Sequence, residues 1–483
     1  MNRLIKNSFF YTAFQALQKG VGFLLLPLYT AYLSPDDYGT LGLITACTGF
    51  LNIFFLFVMD GACGRFEYVY PDPEERKTTW GTGLRFVVVN SLALGAVVFV
   101  FRDYVIAPFL SGIPFFPCVA VGLATLVIGG PSAVYLAKLR ARQDGLSYSV
   151  LNLIGFSTAV AFTVLFVVKF RAGALGVLGA TLISTGVSSL IGVHRLWKEG
   201  GARFSPARAK ELLAYAAPLI PHLVASWALV LVDRLYLHHF KGPAEVGLFV
   251  IAFQIGSLIA FLSGALNQAY APWFFEETEK GEAGRRQIAR VAQALTTFYG
   301  FVGFSISLFA QEIVQLMTRG DYQKAWTVVP LIAFSSVFGG LYYVFVNPLF
   351  LKKTKWVPLV TLGSAGLGML FNWILIPRWG GMGAGAAALI SGFASSAIAL
   401  ALSAKKENYE FQWVRLYAIA GFYLAASLAV YGWPRGAGAS AAGATLSKVF
   451  YFFLVAGVSL VWSKRDVMDL AAALRRRAAG VPR

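Results

Sequence analysis

The chain has 483 residues, of which 57% are hydrophobic and 13% charged, and its formal net charge is +18. A soluble protein of this length carries roughly 25% charged residues; here the mean hydropathy is +0.65, and charges cluster between apolar runs long enough for a bilayer core, which takes ~20 helical residues. This excludes a soluble globular enzyme and, because the basic residues are spread over many short segments, a nucleic-acid-binding groove.

The first apolar run, 8–33, follows Arg3 and Lys6 and ends in Ser34-Pro35-Asp36-Asp37 rather than a small-residue cleavage site. It reads as a retained helix. Further runs at 39–62, 80–101, 113–137, 146–168, 174–194, 214–239, 246–270, 289–316, 326–350, 356–376, 381–403, 414–432 and 446–463 bring the expected spans to fourteen. In hydrocarbon the backbone must satisfy its own hydrogen bonds, so these spans are expected to be helices. The ~10-residue alternation of a membrane β-barrel is absent. The fold class expected is an all-α polytopic membrane protein.

With the N-terminus in the cytoplasm, 29 of the 41 Lys and Arg fall on the cytoplasmic side and 9 on the other, leaving Lys19, Arg85 and Arg234 within spans. That asymmetry is the positive-inside pattern, and one span more or fewer would scramble it. The expected location is the cytoplasmic (inner) membrane, multi-pass, with both termini inside. Basic runs such as Lys352-Lys353-Thr354-Lys355 and Arg475-Arg476-Arg477 then face anionic membrane lipids.

An internal repeat organises the spans. Ser34-Pro35-Asp36-Asp37-Tyr38-Gly39 matches Gly242-Pro243-Ala244-Glu245-Val246-Gly247 at an offset of 208, and Thr181-Leu182-Ile183-Ser184 matches Ala388-Leu389-Ile390-Ser391 at 207. The unit is six helices. An even number gives two parallel repeats, related by an axis along the membrane normal. The expected organisation is a six-helix bundle over 1–200, a second over 201–404, and two additional helices with a basic tail over 405–483. Facing parallel bundles are a transporter architecture.

Chemistry-bearing motifs are lacking. Cys47, Cys63 and Cys118 have no CxxC spacing, and His194, His222, His238 and His239 do not cluster with acids, so no metal, cofactor or catalytic residue is expected. The informative polar residues lie inside spans, where charge is expensive and faces a cavity or a partner. Lys19 is about halfway along span one, and Tyr11, Gln15 and Lys19 share a helical face. It either lines a cavity or pairs with a carboxylate or carbonyl. Arg85 and Arg234 stand nearer their span ends, within snorkelling reach of the surface. His222, Ser226 and Asp233 share a face of span seven. Thr45, Thr48 and Asn52, Ser263, Asn267 and Tyr270, and Ser336, Tyr343 and Asn347 form stripes on spans two, eight and ten. Such stripes serve either as cavity lining or as interhelical hydrogen bonds. The candidate substrate-binding set is Lys19, Arg85, Arg234, Gln15, Asn52, Asn267 and Asn347, with Asp233 and Asp60 as candidates for a coupling ion.

Three stretches resemble a known family. Leu33-Ser34-Pro35-Asp36-Asp37-Tyr38-Gly39 is similar to the first extracytoplasmic turn of O-antigen-type polysaccharide flippases, within the multidrug/oligosaccharidyl-lipid/polysaccharide exporter superfamily. Asp233-Arg234 with Val246-Gly247-Leu248-Phe249 resembles their seventh-to-eighth helix connection. Phe371-Asn372-Trp373-Ile374-Leu375-Ile376-Pro377 with Gly380-Gly381-Met382-Gly383-Ala384 resembles their eleventh-to-twelfth. The resemblance implies a non-enzymatic flippase that moves lipid-pyrophosphate-linked oligosaccharide from the cytoplasmic to the outer leaflet by alternating access, with polysaccharide polymerase and glycosyltransferases as functional partners. The alternative within the superfamily is a cation-coupled drug or metabolite antiporter. Its cavity is typically organised around carboxylates, whereas the deepest charge here is a lysine.

The charge asymmetry yields a direct test. Single cysteines at Lys241 and Arg378 should react with an impermeant thiol reagent added outside intact cells, and those at Lys198 and Lys405 should not. Outside labelling at Lys405 would overturn the topology.

Overall fold

The computed structural model describes residues 23, 25–199, 203–352, 354–404, 411–432 and 445–460. The described residues form helices and no strand. They are α1 (Leu26–Tyr32), α2 (Pro35–Leu56), α3 (Met59–Val69), α4 (Pro73–Val100), the one-turn α5 (Arg102–Val105), α6 (Ala120–Ala141), α7 (Gly145–Thr163), α8 (Gly173–Lys198) and α9 (Pro206–Ala216). Then come α10 (Ile220–Lys241), α11 (Pro243–Gly256), α12 (Leu258–Thr278), α13 (Gly281–Leu308), α14 (Ala310–Met317), α15 (Val329–Lys352), α16 (Val357–Ala404), α17 (Trp413–Leu428) and α18 (Thr445–Leu460).

Ten helical stretches among the described residues are long and apolar enough to cross a membrane. One of them, Val357–Ser403, is 47 residues long. At 1.5 Å per residue a straight helix of that length would reach about 70 Å, more than twice the bilayer core. It does not run straight. Gly380 sits at φ 54°, ψ −129°, and a Cβ on Gly383 would lie 2.4 Å from the carbonyl oxygen of Leu375. The chain therefore turns back sharply there, which only glycine permits, and spans eleven and twelve are its two arms. Helix occupies each of spans two to fourteen, and α1 is the end of span one. Lys19, Gln15 and Tyr11 lie outside the described residues.

Several starts follow from short sequence signals. Ser34-Pro35, Asp72-Pro73 and Ser205-Pro206 each place a capping side chain before a proline in the first turn, and each cap accepts a backbone N–H of its helix. At Ser34 the cap is reciprocal. Asp37 N donates to Ser34 Oγ at 3.1 Å, while Ser34 N donates to Asp37 Oδ2 at 3.1 Å. Asp37 reaches further, accepting the Ala174 N–H at the start of α8 at 3.2 Å. One carboxylate thus ties two helix N-termini.

The chain divides into two compact units, residues 1–247 with 317–321, and residues 248–316 with 322–483. The first has a core of Met59, Cys63, Trp80, Leu84, Val87, Val134 and Leu196. The second is built on Phe274, Tyr299, Phe304, Phe334 and Phe345. It also takes in Ile419 and Tyr423 of α17 and Val455 of α18, with Phe304 stacked on Phe452. The two final helices are therefore part of that core.

Positions related by the repeat show matching features. Ser184 Oγ donates to Gly155 O at 2.6 Å, and Ser391 Oγ donates to Ser364 O at 2.8 Å. Gly173 and Gly380 both have φ 54°. Within the first unit the repeated turns also meet one another. A Cβ on Gly39 would fall 1.7 Å from Pro243 O and 3.0 Å from Gly247 N; one on Gly247 would fall 2.2 Å from Pro35 O and 3.0 Å from Gly39 N. Each turn offers its glycine to the other's proline carbonyl, a backbone-to-backbone crossing that small residues allow.

That crossing cannot take a methyl group. Gly39→Ala should cost about 1–3 kcal/mol, as overpacking does, read as a lower melting temperature by fluorescence-detected size-exclusion. Gly64→Ala, where nothing lies within 4 Å, should leave it unchanged. Equal melting temperatures for the two variants would contradict the crossing.

Candidate functional site

The first unit carries five of the candidates, which the structure places within spans two, three and seven, and its span two is not one helix. Helix α2 ends and α3 begins at Phe57 (φ 51°, ψ 35°) and Val58 (φ 57°, ψ 18°), two consecutive left-handed residues that are not glycine. For a β-branched residue this is a genuine outlier, costing of order 1–3 kcal/mol. In an unbroken helix Phe54 O and Phe55 O would accept the N–H groups of Val58 and Met59. Here both accept from Asn90 Nδ2 of α4, each at 2.8 Å. An amide nitrogen has two hydrogens to give, so one side chain satisfies both freed carbonyls.

Asp60 lies in the first turn of α3, where a carboxylate suits the helix dipole. Its Oδ2 is 3.9 Å from Arg140 Nη2. Asn52 on α2 and Arg85 on α4 are exposed. On α10, Asp233 and Arg234 are half-buried, and Arg234 Nη1 donates to Val230 O at 2.6 Å. In the second unit Asn347 of α15 is buried and donates through Nδ2 to Asn267 Oδ1 of α12 at 3.2 Å and to Tyr343 O at 2.8 Å. The structure thus brings Asn267 and Asn347 together and pairs Asp60 with Arg140. Thr48, Ser263 and Ser336 of the polar stripes donate to their own helix backbone.

The first unit also holds a mixed-charge cluster at the ends of α3, α4, α6 and α8. Glu67, 5% exposed, accepts from Trp80 Nε1 and from Arg142 Nε at 3.0 Å. Arg142 Nη1 reaches Glu199 Oε2 at 3.0 Å, and that oxygen also meets Lys138 Nζ at 2.8 Å, where Lys138 is 2% exposed. Two carboxylates and two cations make the cluster neutral, which is how charge is buried tolerably. Desolvation alone would raise the Glu199 carboxyl, but hydrogen bonds and charge from Lys138 and Arg142 hold it below the usual range. Nearby, Tyr70 and then Arg208 hydrogen-bond Glu211 and lower its pKa, and the Arg208 guanidinium lies 3.7 Å from the Tyr70 ring centroid. Helix α9 is thereby tied to the end of α3, and through Arg208 Nη2, which donates to Glu75 Oε1 at 2.9 Å, to the start of α4.

Sequence reasoning singled out neither Asn90 nor this cluster. Asn90 had a signal: it is a lone amide inside the run Val87-Val88-Val89-Asn90. Glu67 had the weaker mark of an acid at a span end. A cavity of about 20 Å³ lined by residues such as Ile44, Leu51, Val98 and Leu126 is apolar and has room for about one water, so it is not a sugar site. The described residues contain no group of side chains able to hold a metal ion.

These features define a polytopic α-helical membrane protein with a discontinuous span, the architecture of secondary transporters. The polysaccharide biosynthesis protein family model matches residues 4–277, and the chain belongs to that family. An uncharacterised membrane protein of Haemophilus influenzae is 23% identical over 392 residues, 76% of this chain and 91% of the relative. The Lsg locus protein 1 of the same organism is 20% identical over 364 residues, covering 72% and 85%. In fold, the chain is similar to the lipid II flippase MurJ in an inward closed conformation (TM-score 0.72, 14% identity, 96% of this chain and 100% of that one). It is also similar to an inward-facing multidrug resistance MATE transporter of the MOP superfamily (TM-score 0.60, 15% identity, 83% and 95%). The family is thus shown by the sequence match, and the fold is one shared with a lipid II flippase and a multidrug transporter.

Removing Glu67 would leave the Trp80 indole without its acceptor and leave Arg142 and Lys138 to share Glu199 alone. Glu67→Ala should destabilise by about 2–3 kcal/mol, below the range of about 3–5 kcal/mol for a fully buried broken pair, because the Arg142 side is 38% exposed. The depressed Glu199 and Glu211 add a pH signature. Their contribution is complete above the ordinary carboxylate pKa of about 4.3 and is lost as pH falls through their lower folded values. Melting temperature against pH for wild type and Glu67→Ala checks both. An unchanged melting temperature in Glu67→Ala would remove the cluster's structural role.

Proposed function

We propose that the protein is a flippase that carries lipid-pyrophosphate-linked oligosaccharide from the cytoplasmic to the outer leaflet of the cytoplasmic membrane by alternating access. The observation that carries this reading is the family match over residues 4–277, in a chain whose fold is also that of a lipid II flippase. The cargo's chemistry agrees with the candidate residues. A pyrophosphate requires fixed positive charge, and the sequence sets Lys19 about halfway along the first apolar run; a cation at the middle of a span costs ~2.5–3.5 kcal/mol on insertion scales unless an anion or water meets it. Arg85 and Arg234 are the helpers we assign to it. Sugar hydroxyls require amides, supplied in this reading by Gln15, Asn52, Asn267 and Asn347. Since Asn267 and Asn347 hydrogen-bond each other, cargo binding there would have to open that pair. Asp60 and Asp233 are the carboxylates assigned to a coupling ion, with Asp60 exchanging its Arg140 partner during the cycle. Both termini lie in the cytoplasm in this reading, glycosyltransferases supply the lipid-linked substrate, and a polymerase consumes the flipped product.

The test is flipping of a lipid-pyrophosphate oligosaccharide in liposomes, alongside thermal stability. Lys19→Ala should lose most of the transport while inserting at normal levels, and Lys19→Arg should retain part of it. Normal flipping by Lys19→Ala would refute the assignment. Absence of flipping by wild type, with transport of a small cationic amphiphile instead, would replace the cargo.

A further inference from the structure

The break in span two divides it into two segments that share α4 and α6 as neighbours but are fastened differently. Helix α3 is fastened on one side: Glu67 to Trp80 of α4 and to Arg142 after α6, Tyr68 Oη to Ala141 O, and Asp60 to Arg140. A Cβ on Gly83 of α4 would come 2.3 Å from Cys63 Sγ, so α3 and α4 are also in close contact. Helix α2 also packs on α4 and α6, where a Cβ on Gly122 would come 2.8 Å from Ile44, but it has further fastenings of its own. Its Asp37 caps α8, and a Cβ on its Gly49 would meet the ring of Trp227 of α10 at 2.5 Å. Between these fastenings stand only Phe57 and Val58, in a backbone conformation that neither side chain favours.

Kinks in helices usually trace to proline, glycine pairs or an inserted side chain. Neither proline nor glycine occurs between Phe54 and Asp60. The inserted group is Asn90, whose amide takes two of the carbonyls the break sets free, Phe54 O and Phe55 O, the latter also accepting from Ser91 Oγ at 3.4 Å. The second repeat provides an internal comparison. At the offset of 208, Phe57 and Val58 correspond to Ala265 and Leu266, and Asn90 corresponds to Phe298. There the helix α12 runs unbroken through Ala265 and Leu266. Where the amide is replaced by an aromatic ring, no left-handed break stands at these positions, and span eight is interrupted only mildly at Ser257, beside Gly256.

We propose that Phe57–Val58 is a hinge in span two and that Asn90 is the positioning residue whose clasp on Phe54 O and Phe55 O selects its bent form. The straight form returns those carbonyls to the N–H groups of Val58 and Met59 and relieves both left-handed residues, so the two forms trade backbone strain against the clasp. Such an element is bistable, and a rocking transporter requires elements of that kind. The use of the hinge in a transport cycle rests on the flippase reading; its existence does not.

The experiment places spin labels at Thr45 on α2 and Val69 on α3, both exposed, in protein with the three native cysteines replaced and reconstituted in nanodiscs. Wild type should show two distances with the bent form dominant. Asn90→Leu should move the ratio toward the straight form by about tenfold, the expected effect of two lost hydrogen bonds. The double variant Phe57→Gly, Val58→Gly keeps the clasp, removes the strain and should move the ratio the other way, which keeps the test valid even if Asn90→Leu folds poorly. Both variants should flip cargo more slowly than wild type, because each traps one form. Identical distance distributions in wild type and both variants would overturn the hinge. If the distances shift as expected while wild type flips nothing, the hinge stands and the flippase reading falls.

Discussion

Inside a bilayer no water is present to take up a stray N–H or C=O, and every feature of this chain answers to that constraint. It makes the spans helical and leaves helix ends and breaks as the only places where the backbone needs outside help. At several of these points the chain supplies that help with one short polar side chain. Asp37 closes two helix starts, Ser34 closes one, and Ser184 and Ser391 bind carbonyls across helix pairs. Asn90 holds open the break at Phe57–Val58, where neither glycine nor proline stands.

This bears on how polar residues within spans should be weighed. Thr48, Ser263 and Ser336 fold back on their own helices, and Asn267 and Asn347 find each other. Their spacing along a helical face was visible in the sequence; whether a face looks onto a cavity was not, because periodicity fixes a direction but not what occupies it. Charged residues divide in the same manner. Glu67, Lys138, Arg142 and Glu199 are spread over 133 positions, and only the packing of four helix ends brings them into one neutral cluster.

The architecture was far more legible than the site. Apolar run length and the distribution of lysine and arginine are one-dimensional properties, and the positions of the helices follow them closely. The fold-back at Gly380 could also be anticipated, since Pro377 and the glycines after it punctuate the run. The break at Phe57–Val58 could not. Leu56-Phe57-Val58-Met59 reads as uninterrupted helix, and its cause lies 32 residues further on at Asn90. A tertiary contact there overrides local preference at a considerable conformational cost, which is how functional elements commonly depart from local rules.

The meeting of Pro35 and Gly39 with Pro243 and Gly247 has a consequence for the history of the chain. Each member of the contact presents to the other the surface it receives, so the interaction is isologous and is closed by a two-fold operation. A surface of that kind is complementary to its own copy. A polypeptide with a single such turn could satisfy it only by associating with a second molecule, and fusing the two into one chain would keep the contact while removing the need to find a partner. The paired glycines are also locked to one another: a side chain on either would intrude on the backbone of the other, so neither position can drift independently after such a fusion.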